Sequence, residues 1–97
     1  MESSTLEFEW DEVKRQTTLD KHGLDFIDAV KIFEGDVLQA RSSFEGEERW
    51  IAIGLLNGIE IAVIYTIRGD IYRIITARRA RQKERDLYDA HYPARGA

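Results

Sequence analysis

Two runs rich in β-branched and aromatic residues, Arg49 to Leu56 and Ile59 to Ile67, are separated by Asn57-Gly58. A two-residue hairpin turn needs positive φ at both central positions, which asparagine and glycine tolerate, so this string commits the middle of the chain to an antiparallel hairpin. A hairpin cannot bury its own faces, and the rest of the chain must supply more strands and a cover. Arg68-Gly69-Asp70 makes the next turn, with Ile71 to Ala77 as the next strand. Val37 to Ser42 reads as a shorter, weaker strand ahead of the hairpin. The run Ile59 to Ile67 has few polar positions and is expected at the sheet centre, covered on both faces.

The flanks have a different period. Trp10-Asp11-Glu12 opens a helix, with Asp11 as its cap and Glu12 at its positive end. Gly23 stops it, because glycine enters the left-handed region freely. Asp25 restarts a helix, and Phe26, Ala29, Val30 and Phe33 fall on one stripe before Gly35. From about Arg78 to Ala90 the chain favours helix again. The expected fold is therefore α+β, with two N-terminal helices, a three- to four-stranded antiparallel sheet and a C-terminal helix. The helices are expected on one face of the meander, leaving the other partly bare. Its 97 residues suit one domain, with a core of about 8–90 and flexible ends at 1–7 and 91–97.

Composition narrows the chemistry. There is no cysteine, which excludes disulfides and thiolate metal sites. With no signal peptide and no apolar run near the roughly 18 residues of a membrane span, a cytoplasmic protein is expected. The net charge of −4 conceals an asymmetry. Through Ile64 there are 14 acidic and 6 basic residues; from Tyr65 onward there are 8 basic and 4 acidic. Seven of those eight are arginines, whose planar fork matches phosphate oxygens in pairs. Polyanion binding follows the local field rather than the total, so a nucleic-acid partner stays open beside the simpler reading of a solvated helix face.

Neither histidine sits in a zinc-binding spacing, and no phosphate loop or nucleophile elbow occurs. No metal or cofactor is expected. What remains is acid–base and cationic chemistry. Lys21-His22-Gly23 at a helix C-terminus reads as simple capping or as a proton-transfer pair beside a phosphate. Glu48 and Arg49 begin the first long strand. Tyr65 and Arg68 end the central one, while Arg73 and Arg78 bracket the next. Alternation puts Tyr65 with Ile67, Thr66 with Arg68, and Arg73 with Ile75 and Ala77. Trp10 and Trp50 are assigned to packing, and His91 to solvent.

The ordered set of strings is distinctive. It runs Phe8-Glu9-Trp10-Asp11, Lys14, Lys21-His22-Gly23, Phe26, Ala29, then Gly46-Glu47-Glu48-Arg49-Trp50-Ile51-Ala52-Ile53-Gly54. Tyr65-Thr66-Ile67-Arg68, Arg73-Ile74-Ile75-Thr76-Ala77-Arg78 and Glu84-Arg85-Asp86-Leu87-Tyr88 complete it. Over about Phe8 to Tyr88 the chain resembles the BrnT family of type II toxins. Two positions depart from that pattern: Thr18 stands where the family usually has asparagine, and Thr76 where it has serine.

The resemblance implies a RelE-like, metal-independent endoribonuclease that halts translation and growth. It also implies neutralisation by a BrnA-like antitoxin, a ribbon-helix-helix protein through which alone DNA would be contacted, in a hetero-oligomer away from membranes. The alternative is a non-catalytic module that acts only as corepressor within a protein–DNA complex. For the enzyme, the expected site is Lys21, His22, Glu48, Arg49, Tyr65, Arg68, Arg73 and Arg78. His22 or Glu48 is the base, Lys21 or Tyr65 assists proton delivery, and the four arginines hold the phosphate. Arg79, Arg81, Lys83 and Arg85 are expected on a solvated or antitoxin-facing helix side.

Overall fold

The computed structural model of the chain describes residues 6–44 and 47–93. Its strands are β1 (Glu7–Trp10), β2 (Val37–Phe44), β3 (Glu47–Leu56), β4 (Ile59–Arg68) and β5 (Ile71–Arg79). Its helices are α1 (Glu12–His22), the single turn α2 (Phe26–Ala29), which continues as a 3₁₀ turn over Val30–Glu34, and α3 (Gln82–His91). The sheet order is β1-β5-β4-β3-β2, with β1 parallel to β5 and all other pairs antiparallel. Gly46 and most of both expected flexible ends fall outside the described residues. Among the described residues, strands and helices run from Glu7 in β1 to His91 in α3.

The local signals act as the residue types dictate. Asp11 accepts hydrogen bonds from the Val13 and Lys14 amides, and Gly23 ends α1 at φ 70°. Asn57 and Gly58 take φ of 53° and 82°, and Gly69 makes the next turn at 60°. Asp25 caps α2 through the Ile27 amide and also receives the Arg15 fork, at 2.8 and 3.0 Å. That guanidinium is the main reason the Asp25 carboxyl sits below the usual carboxylate range.

Three expectations are corrected. The described sheet has five strands and is mixed, because Phe8 and Trp10 turn inward while Glu7 and Glu9 point away, making a short strand just ahead of the expected helix start. Arg78 and Arg79 belong to β5, paired with Ala62 and Ile61, and the last helix starts only at Gln82. The helices lie on both faces. Phe26, Ala29 and Ile32 pack on Ala52, Ile61, Val63, Tyr65, Ile74 and Ala77. On the opposite face α3 packs Tyr88 against Ile53 and Ala62.

A fourth correction bears directly on the site. Ile64 pairs with Thr76 but Tyr65 with Ile74, which leaves Ile75 as an extra residue in a β-bulge. Strict alternation breaks there. Arg73 therefore shares a face with Thr76 and Arg78, opposite Ala77, rather than lying with Ile75 and Ala77.

Candidate active site

The sheet face that receives α3 is only partly covered by it. Beneath α3 lie Leu38, Ile51, Ile53 and Ala62. Thr66 lies four residues beyond Ala62 along β4, about 13 Å at the usual strand rise. At that end the same face carries Arg49, Thr66, Arg68 and Arg73, with Thr76 and Arg78 following on β5 across the bulge. One row can be followed through the register: Glu9 opposite Arg73, Arg73 opposite Thr66, Arg49 one residue beyond the Trp50–Tyr65 pair, and Ser42 opposite Arg49.

The C-terminal end of α1 comes to the side of this face. Lys14, Thr17, Thr18, Lys21 and His22 line a hollow of about 260 Å³ with Ile75 and Thr76. The spacing explains it: residues 14, 17, 18 and 21 fall on one helix face, which α1 turns toward the bulged stretch of β5. Lys21 and His22 are exposed, and Thr18 is buried at 5%. Both positions that depart from the family pattern, Thr18 and Thr76, line this hollow. His22 also borders a second hollow of about 290 Å³ with Arg79, Asp25, Asp28 and Asn57.

The eight expected site residues separate into three groups. Lys21 and His22 line the hollow with Thr76, and His22 reaches on toward Ile61, Arg79 and Asn57 at the hairpin end of the sheet, whereas Arg49, Arg68 and Arg73 lie toward the other end of the open face. Arg78 lies there too, but both its terminal nitrogens donate to Glu84, at 2.8 Å each. This pair is 17% exposed on each side. Glu84 also accepts from the Arg81 amide at 2.7 Å, so the pair fastens the start of α3 to β5. The mutual hydrogen bonds lower the Glu84 carboxyl and raise Arg78.

Glu48 and Tyr65 form the third group, on the other side of the sheet. Glu48 is exposed and ion-paired to Arg41, whose guanidinium lies 5.6 Å above the Trp50 ring. Tyr65 is 0% exposed, stacked on Tyr72 at 4.9 Å and edge-on to Phe33. Its hydroxyl donates to Gln39 Oε1, and burial pushes the phenol well above its ordinary value. Neither residue meets the open face.

Thr17 and Thr66 join this surface with no motif to mark them, while Thr18 and Thr76 are marked in the sequence only as departures from the family pattern. The helical spacing from Lys14 to Lys21 contained the placement of Thr17 and Thr18. Nothing local announced that of Thr66 and Thr76, because the bulge alone decides which face Thr76 shares with Arg73.

The comparisons with known proteins settle the family. Residues 10–84 match the family described as ribonuclease toxin, BrnT, of type II toxin-antitoxin system. The chain belongs to the BrnT family. It is also similar to the crystal structure of the Brucella abortus ribonuclease toxin BrnT, with 40% sequence identity and a TM-score of 0.62. That match covers 80% of this chain and all of the Brucella chain. No curated protein matches the sequence. The chain carries, among the described residues, an α+β architecture, a five-stranded mixed sheet with three helices, similar to the Brucella structure. Among the described residues no helix is long and apolar enough to cross a membrane.

Proposed function

We propose that this BrnT-family chain is an endoribonuclease toxin that cuts RNA with its own side chains on the open sheet face. The observation that carries the reading is the gathering of Arg49, Arg68 and Arg73 on one open sheet face, with Lys21 and His22 lining a hollow that shares Thr76 with that face. A proton-transfer pair and an arginine surface are what scission of a phosphodiester requires.

In this mechanism the ribose O2′ attacks the adjacent phosphorus. The P–O2′ bond forms as the P–O5′ bond breaks, giving a 2′,3′-cyclic phosphate and a 5′-hydroxyl. His22 takes the O2′ proton, a role for which Glu48 is poorly placed because it lies on the other face against Arg41. Lys21 delivers the proton to O5′, since the Tyr65 hydroxyl is held in the core by Gln39. Arg49, Arg68 and Arg73 stabilise charge developing on the phosphoryl oxygens, work that preoriented guanidinium groups do without a metal ion. Arg78 supports the site by anchoring α3. The arrangement is read as RelE-like, with translation arrest in the cytoplasm following from loss of RNA. The partner is read as a BrnA-like ribbon-helix-helix antitoxin that closes the site and alone contacts operator DNA.

The test is cleavage of RNA by His22→Ala and Arg49→Ala proteins that keep the wild-type circular dichroism spectrum. Loss of one donor of this kind typically costs on the order of 100- to 1000-fold in rate. Unchanged rates in both proteins would remove them from the site. Expression of the chain without an antitoxin should arrest growth, whereas a passive corepressor would be tolerated.

A further inference from the structure

Thr66 stands out on the open face. It is 7% exposed, and its Oγ1 is shut off from solvent with no hydrogen-bond partner among the described residues. Leaving a buried hydroxyl unpaired costs free energy, and folded chains seldom retain one without a use for it. The neighbouring hydroxyl-bearing position on this face, Thr76, lies at the hollow instead.

The surroundings of Thr66 define the use. Tyr65 and Ile67 turn to the opposite face, so Thr66 points to the one that α3 leaves partly open. Its same-face neighbours are Arg73 directly across the strand pair, Ile64 and Arg68 two residues either way along β4, and Arg49 alongside on β3. The arginine side chains that flank it are long and can move. Among the described residues Arg73 is tied to Glu9, by a 3.1 Å contact from its Nη1 to Oε2, with its side chain 32% exposed. A phosphate oxygen entering here meets guanidinium groups on several sides, and it reaches the hydroxyl when the side chains flanking Thr66 turn aside.

We infer that Thr66 is a substrate-binding residue, its hydroxyl donating a hydrogen bond to a phosphodiester oxygen of the nucleic-acid strand held by Arg73 and Arg68. This rests on the ribonuclease reading for the identity of the strand, but it concerns a group to which that reading gives no role. The hydroxyl is neutral, so it adds affinity without releasing counterions; the arginines contribute the salt dependence.

The experiment uses the full chain with Thr66→Val, which keeps the shape and removes the hydroxyl, and Thr66→Ser, which keeps the hydroxyl. Binding of a fluorescent 2′-deoxy oligonucleotide, which cannot be cleaved, is measured across a salt series beside RNA cleavage and thermal melting. Hydrogen bonds to charged groups are worth roughly a 10- to 100-fold change in affinity. Thr66→Val should lose that much oligonucleotide binding with the same salt slope, while melting at or above the wild-type temperature. Thr66→Ser should bind nearly as wild type.

Full oligonucleotide binding by Thr66→Val overturns the inference, as does a loss that appears only together with a lower melting temperature. If Thr66→Val loses inorganic phosphate but keeps the oligonucleotide, the hydroxyl serves a free anion and the inference falls. A wild-type chain that binds the oligonucleotide but leaves RNA intact would defeat the ribonuclease reading alone, and the binding series would still decide Thr66.

Discussion

A methyl group at Gly54 would stand 2.9 Å from Ile32 Cβ, a contact that neither side can relieve by turning a flexible tip. Gly54→Ala should therefore lower stability by about 1–3 kcal/mol in chemical denaturation, the usual cost of overpacking a well-filled core. Tyr65→Phe probes the same face of the sheet, further along β4. It removes one hydrogen bond, to a glutamine exposed enough to be resolvated, so a loss of about 1 kcal/mol is expected. RNA cleavage by Tyr65→Phe should stay within a few-fold of wild type, because the hydroxyl is turned away from Lys21 and His22. A 100-fold loss of rate in that protein, with its melting unchanged, would return Tyr65 to the site. These two contrasts also mark what single residues disclose. Asn57, Gly58 and Gly69 announced themselves because positive φ restricts the choice of side chain. Tyr65 and Glu48 did not reveal their face, since register between strands is set by contacts far apart in sequence.

The hold of α3 on the sheet depends on ionisable groups. Arg78 and Glu84 keep their charges through mutual hydrogen bonds, and the Glu84 carboxyl is lowered in the folded chain. A depressed carboxylate gives stability that is present above its unfolded value and lost as pH falls through the folded one. Glu84→Gln should thus flatten the acid limb of a stability–pH curve and cost on the order of 1–2 kcal/mol near neutrality, discounted for partial exposure. Glu60 behaves in the opposite sense. Burial, reinforced by the Asp89 carboxyl bonded to it, raises it to about 6. Its contribution is full below the unfolded value near 4.5 and is lost as pH rises through about 6. Glu60→Gln should therefore stabilise the chain above pH 6, by about 1 kcal/mol after allowance for solvent screening. Urea melts at pH 5 and pH 7.5 check both variants. If the Glu60→Gln difference is the same at both pH values, the carboxyl pair is not what tunes α3.

The elements also show where periodicity stops being informative. The β3–β4 hairpin and α1 carry their own turn and cap residues, so their bounds were readable to within a residue or two. By contrast β1 is four residues long and its partner lies 64 positions away, so its identity comes from pairing with β5 rather than from local preference. The stretch Arg78-Arg79 looked helical, yet ladder bonds to Ala62 and Ile61 hold it in strand. The bulge at Ile75 was invisible because Ile74 and Ile75 are both apolar, and no pattern of side chains says which of them is the extra one.

Across the fold, the charge asymmetry of the sequence becomes a difference between surfaces. The basic second part of the chain places Arg68 and Arg73 on one sheet face, and α1 brings Lys14, Lys21 and His22 to its side. The N-terminal carboxylates are spread over the helices and β1, with Glu9 in contact with Arg73. Such a surface steers a polyanion despite the net charge of −4. Glu9→Gln, which releases Arg73 from its contact with the Glu9 carboxylate, should tighten nucleic-acid binding by roughly two- to tenfold at low salt and less at high salt. Anisotropy titrations with the uncleavable oligonucleotide would show weaker binding instead if Glu9 orients Arg73 rather than competing for it. The most direct test of where RNA sits is amide chemical-shift mapping of the full chain with that oligonucleotide. Shifts should gather at 49–51, 64–68, 73–78 and the last turn of α1. Shifts confined to α2, the 3₁₀ turn and β2, with the open face silent, would contradict the assignment.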